Sequence, residues 1–145
     1  MPEEALEVVA ALDGADIDLL DISGGTYFPG AKSVSDAGGT GAYFLDFARA
    51  ARDRTHVPLM ATGGFKTRVA AHAALAEGAT DIIGLARALV LDPKLPAHWR
   101  ATDDRDPEFP CFTDPPEGGI TAWYTMRLTD IGEDSDSSEA VSWMH

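Results

Sequence analysis

The sequence predicts a parallel α/β fold, and three observations carry that prediction. Short apolar runs end in glycine turns at 24–25, 63–64 and 84. Stretches of helical periodicity alternate with those runs. The runs also carry apolar side chains on consecutive positions, the pattern of strands covered on both faces. Alternation of this kind implies parallel strands joined by right-handed crossovers. Two architectures satisfy it: an open doubly wound sheet, or part of a (β/α)8 barrel.

Residues 3–13 form the first helix candidate. Leu6, Val9 and Leu12 share a face, acids fill the first turn, and Gly14 fits the stop. Residues 18–23, DLLDIS, read as a strand meeting the loop at Gly24-Gly25. Residues 26–40 are rich in Gly, Ser, Pro and Asp and predict a long loop. A second helix is expected over 41–54, with Phe44, Phe47, Ala48 and Ala51 on one buried face. Residues 57–62, VPLMAT, are the second strand, with Pro58 tolerable only near its start. A third helix over 67–77 has Thr67 as its cap and Gly78 at its stop. Residues 81–85, DIIGL, are the third strand, followed by Ala86-Arg87 and a short helical turn to Leu91. Pro93 and Pro96 punctuate the next segment. Beyond residue 100 the chain turns polar and irregular. Helical period returns over 120–131, with Ile120, Trp123, Tyr124, Leu128 and Ile131 on one face and Gly132 as the stop. The acidic, serine-rich end of the chain reads as a frayed tail.

The chain has 145 residues, 45% hydrophobic and 24% charged, the composition of one ordinary globular domain. Its net charge of −13 makes it a poor non-specific partner for nucleic acid or anionic membrane. Residues 1–100 carry only −4 of that charge, and residues 101–145 carry −9. The shift near residue 100 marks the expected boundary between a βα region, 1–100, and an extension, 101–145. A single cysteine, Cys111, excludes an internal disulfide, a CxxC redox pair and a cysteine-ligated iron–sulfur cluster. No apolar run is long enough to span a bilayer, and the acidic N-terminus does not read as a secretory signal. The expected location is therefore the cytoplasm.

The most informative residues are Thr62-Gly63-Gly64-Phe65 and Gly84-Leu85-Ala86-Arg87. Each group ends a predicted strand and precedes a helix, where parallel α/β folds bind ligands. Glycines let backbone N–H groups approach a phosphate without a Cβ in the way. The following helix adds its positive end. Arg87 supplies a permanently charged, bidentate contact. Read alone, either glycine pair is an ordinary tight turn. Read together, the two turns make one anion site.

These residues also carry a family resemblance. DLLDISGGTYFPG, YFLDFARAARDRTHVPLMATGGF and EGATDIIGLARALVLDPKLP resemble the last three strand–helix units of the Old Yellow Enzyme family. That family comprises FMN-dependent NADH:flavin oxidoreductases and ene-reductases on a (β/α)8 TIM barrel. The resemblance covers residues 3–100. It implies an incomplete barrel of three βα units with an irregular acidic extension bearing one amphipathic helix. It also implies that Gly63 and Gly64 match the family's backbone donors to the FMN phosphate, and that Ala86 and Arg87 match the second phosphate-binding pair. The implied reaction passes hydride from NAD(P)H through FMN to a small electron-poor acceptor.

The sequence departs from the family in two respects. Many members have Gly where this chain has Ala86, so φ there must stay negative. A complete barrel needs eight strands, and only three are legible. The early strands that contact the isoalloxazine ring, the substrate-holding His pair or His/Asn pair, and the proton-donating Tyr have no counterpart here. No catalytic residue is therefore assigned, and the chain is expected to show little turnover alone. The rival reading is a non-catalytic barrel remnant, binding a phosphate ligand or another subunit through unpaired strand edges. A weaker one is a fragment of a different phosphate-binding barrel.

The remaining candidates read as structural. His56, His72, His98 and His145 avoid strand carboxyl ends and lack metal-ligand spacing. Ser23 has no partner in a nucleophile arrangement. Tyr27 and Phe28 could line an entrance or anchor the loop. Lys66 adds positive field near the glycine turn, and Arg68 reads as a solvated helix start.

Overall fold

A computed structural model of the chain describes residues 2–24, 44–101, 105–110, 112, 116 and 118–133. The predicted loop at 26–40 and the acidic tail lie outside these residues, as do Tyr27, Phe28, Cys111 and His145. The described residues form two units, Met1–Leu85 and Ala86–His145.

The first unit runs α1 (Pro2–Leu12), β1 (Leu20–Ile22), α2 (Leu45–Arg52), β2 (Leu59–Thr62), α3 (Arg68–Ala76) and β3 (Ile82–Gly84). The strands form one parallel sheet in the order β1-β2-β3. Leu20 pairs with Leu59 and Ile22 with Ala61, while Met60 pairs with Ile82 and Thr62 with Gly84. The predicted alternation and parallel pairing are thus observed, with strands shorter than the apolar runs.

Register assigns the faces. Leu59 and Ala61 share one side of the sheet with Ile22, and all three are buried. Leu6 and Val9 of α1, Ala48 and Ala51 of α2, and Ala71 and Ala74 of α3 supply buried helix positions of this unit. The small side chains of α2 and α3 let helix and sheet backbones approach closely. Asp21, Met60, Thr62, Ile82 and Gly84 share the other side, and none of them is buried. Ile82 remains 44% exposed. Coverage of both faces, expected from the consecutive apolar positions, is therefore not observed among the described residues. Helices α2 and α3 cover one face only.

The amino end of the sheet is stitched by polar groups. The Asp81 carboxylate accepts the Leu59 N–H at 2.8 Å and pairs with Arg52. The Asp81 N–H donates to the Leu59 carbonyl at 2.8 Å. The buried Thr80 hydroxyl lies 2.8 Å from that same carbonyl. Nearby, Asp13 accepts from the Thr55 hydroxyl at 2.7 Å and from the His56 N–H. Those bonds, led by the Thr55 hydroxyl, lower the Asp13 pKa to about 2. The Leu59 N–H bond leads in holding Asp81 below the usual carboxylate range, with Arg52 assisting against desolvation.

The second unit holds α4 (Arg87–Leu91), α5 (Leu95–Arg100) and α6 (Gly119–Glu133). Helix α5 was not expected from the sequence. Pro96 sits in its first turn, where a missing N–H costs nothing. Asp92 prepares its start by accepting the Lys94 N–H at 2.9 Å and meeting His98 Nδ1 at 2.6 Å. Helix α6 runs through Gly132, so that glycine is not its stop. On its apolar face Tyr124 is buried, while Leu128 and Ile131 are exposed. Phe112, Trp123 and Tyr124 pack edge-to-face, with centroids 4.9–6.4 Å apart. Among the described residues no helix is long and apolar enough to cross a membrane.

Candidate phosphate site at the strand carboxyl ends

The carboxyl end of the sheet contrasts with its amino end, because glycine dominates it. Gly63 and Gly64 follow β2 with φ of +113° and +82°. Both values lie where an L side chain is strained, so the turn exposes backbone that only glycine can form. The chain then reaches Thr67, whose side chain caps α3 by accepting the Ala70 N–H at 3.2 Å. Two positive-φ glycines thus lead into a capped helix start.

Three contacts fix the strands from which this turn departs. The Thr62 hydroxyl donates to Asp21 Oδ1 at 2.8 Å, tying β2 to β1. A Cβ built on Gly84 would stand 1.8 Å from Thr62 Oγ1 and 3.1 Å from Thr62 Cα. Only glycine lets β3 pass Thr62 this closely. The Phe44 ring would meet a Cβ on Gly24 at 2.8 Å and one on Gly63 at 3.8 Å. The ring therefore lies beside the ends of both β1 and β2. Helical spacing puts Phe44 on a buried helix face and carries no sign of this contact. Asp21 is likewise unmarked in the sequence, because a lone acid in a strand carries no spacing signal.

Ala86 and Arg87 open the second unit. Ala86 is the residue before α4, with φ −117°, so its Cβ is accommodated at negative φ. Arg87 is the first residue of α4, and its guanidinium lies 5.8 Å from the centre of the Tyr124 ring. That cation–π contact holds a charge that needs no titration. Gly63 and Gly64 belong to the first unit, Ala86 and Arg87 to the second. Ser23 and Lys66 are exposed, and Arg68 starts α3. His56 is fully exposed beside Asp13 at the opposite end of β2. His72 is exposed on α3. Among the described residues no group of three or more His, Cys, Asp or Glu is gathered to hold a metal ion.

Comparison with known proteins gives this arrangement its context. The chain matches no family model. It is 40% identical to an NADH-dependent flavin oxidoreductase of Talaromyces variabilis, over 63% of this chain and 24% of that protein. It is 34% identical to an NADH-dependent flavin oxidoreductase of Hypocrea jecorina, over 66% of this chain and 27% of that protein. Both relatives are named as NADH-dependent flavin oxidoreductases, and the chain is similar to them over its matched residues. The fold agrees. Morphinone reductase superposes with a TM-score of 0.53 at 20% identity, over 74% of this chain and 26% of that one. The parallel three-stranded sheet is therefore similar in fold to an Old Yellow Enzyme barrel. The chain spans about a quarter of the length of these relatives.

Proposed function

We propose that the chain is the FMN-phosphate-binding portion of an NAD(P)H:flavin oxidoreductase or ene-reductase, comprising the last three βα units of its barrel. The carrying observation is the Gly63–Gly64 turn, with positive φ at both residues, at the carboxyl end of β2. The donor chemistry of each turn suits the group: the backbone N–H groups of Gly63 and Gly64 in the first unit, and the Ala86 N–H with the Arg87 guanidinium in the second, are the usual chemistry of phosphate recognition. The exposure of Asp21 and Ile82, among the described residues of the sheet face away from α2 and α3, supports the partial-barrel reading, since a closed barrel packs that side with side chains from other strands. On this reading residues 1–100 form the barrel portion and 101–145 an extension.

Within that reading, Gly63 and Gly64 position backbone donors and Arg87 neutralises the phosphate. FMN, when bound, supplies hydride transfer between a reduced nicotinamide and a small electron-poor acceptor. No residue of this chain is assigned to proton transfer or to holding that acceptor, so turnover by the chain alone is expected to be negligible. The test is titration of FMN fluorescence with the 145-residue chain. Binding is expected, and Arg87→Ala should weaken it about tenfold or more, as loss of a charge-assisted contact does. Failure of the chain to bind FMN refutes the proposal.

The second reading, a subunit-interaction module, draws on the same open face with its exposed Ile82. Sedimentation velocity separates the two: self-association that FMN leaves unchanged favours the module.

A further inference from the structure

We propose that Asp21 and Thr62 are positioning residues for the phosphate turn, and that Gly84 is glycine to admit the Thr62 side chain. The inference rests on the FMN-phosphate reading and extends it to residues that touch no ligand. Thr62 immediately precedes Gly63. Its hydroxyl donates to Asp21 Oδ1 at 2.8 Å across the β1–β2 pair. On the side of β3, that hydroxyl fills the space where a Cβ of Gly84 would lie. Thr62 thus joins all three strands at the point where the turn leaves the sheet. Asp21 and Thr62 lie on the uncovered face, diagonal to one another in the register. Among the described residues Asp21 is exposed and Thr62 half-buried on this face, and the hydrogen bond ties the two strands at the point where β2 ends. The two glycines that follow have little conformational restraint of their own. Their orientation is inherited from Thr62.

An acid beside an anion site opposes the anion by charge, so Asp21 is an unexpected residue unless it acts through the hydrogen bond. Asp21→Asn keeps an acceptor and deletes the charge, whereas Asp21→Ala deletes both. A residue acting by charge alone would respond alike to both changes.

The experiment measures the affinity of the full 145-residue chain for FMN and for riboflavin, which lacks the phosphate. The wild-type chain is expected to prefer FMN. Thr62→Val and Asp21→Ala should reduce that preference about five- to tenfold, the size of one net hydrogen bond, with riboflavin affinity unchanged. Thr62→Ser and Asp21→Asn should retain it. Equal loss of both ligands in Thr62→Val, or no loss at all, overturns the positioning role and leaves the phosphate reading standing. A wild-type chain without preference for FMN overturns that reading and the positioning role together.

Discussion

Replacing Gly84 with alanine should destabilise the first unit through one identifiable collision. The new Cβ would stand 1.8 Å from Thr62 Oγ1, 2.7 Å from Thr62 Cβ and 3.1 Å from Thr62 Cα. The first contact is relieved by rotating the hydroxyl, which breaks its bond to Asp21 at a net cost of about 0.5–1.5 kcal/mol. The other two are not relieved by rotation, so β2 and β3 must separate, an overpacking cost of about 1–3 kcal/mol. Alanine restrains the unfolded chain more than glycine and returns about 0.4–1 kcal/mol. The net expectation is a loss of about 0.5–4 kcal/mol. Urea unfolding followed by far-ultraviolet circular dichroism measures it. The same substitution in Thr62→Ala and Thr62→Gly backgrounds tests the cause, because these remove the 1.8 Å contact and then the 2.7 Å contact as well. The cost of Gly84→Ala should fall stepwise from Thr to Ala to Gly at position 62. A loss below about 0.5 kcal/mol, or an equal loss in all three backgrounds, refutes the reasoning.

Further expectations follow from the opposite end of the sheet and from the core. Asp81→Ala leaves the N–H of the buried Leu59 without its carboxylate partner and should cost about 1–3 kcal/mol in urea unfolding. Asp13 has a folded pKa of about 2, below its ordinary value of 3.8, so its contribution to stability is fully present above that ordinary value. It is lost as pH falls through about 2, so the stability gap between wild type and Asp13→Asn should be flat near neutrality and close between about pH 4 and pH 2. Leu59→Ala empties a fully buried site between sheet and helices and should cost about 2–5 kcal/mol by the same assay. Thr67→Ala removes the cap of α3 and should cost about 1 kcal/mol.

The parts of the fold legible in the sequence were those with a local signal. Glycine turns marked the strand ends, and the 3.6-residue spacing of Ala48 and Ala51 marked the buried side of α2. Thr67 was legible as a cap because capping is a one-turn interaction. Which of Ile82 and Ile83 faces the helices was not legible, because both are apolar and only register decides it. Helix α5 was hidden by Pro93 and Pro96, which read as breaks although Pro96 is harmless in a first turn. The apolar stripe of α6 overstated its burial, since periodicity reports what a helix could bury and not what is there to bury it. Of the site, the glycine pair was visible and its supports were not. Asp21, Thr62 and Gly84 lie about 20 to 40 residues apart, and only strand pairing joins them.

The two ends of this sheet divide the work between side chain and backbone. At the amino end Asp13, Thr55, Arg52, Thr80 and Asp81 spend their polar atoms on one another and on the β2 backbone. That pattern holds strands in place and leaves little free to meet a ligand. At the carboxyl end Gly24, Gly63, Gly64 and Gly84 remove side chains from the strand termini, and Phe44 and Thr62 fill the space they leave. Bare backbone is costly to order, since glycine loses the most conformational freedom on folding. Close packing against Thr62 and Phe44 accounts for Gly84 and Gly24, whereas the positive-φ pair Gly63 and Gly64 is what the proposed phosphate site would use. Substitutions should separate accordingly. Changes at Asp13 or Asp81 should shift unfolding and leave the preference for FMN over riboflavin intact. Thr62→Val should lower that preference and cost no more in unfolding than about 0.5–1.5 kcal/mol, the worth of its hydrogen bond. Gly84→Ala should do both, because Gly84 alone combines a packing requirement with contact to the residue that launches the turn.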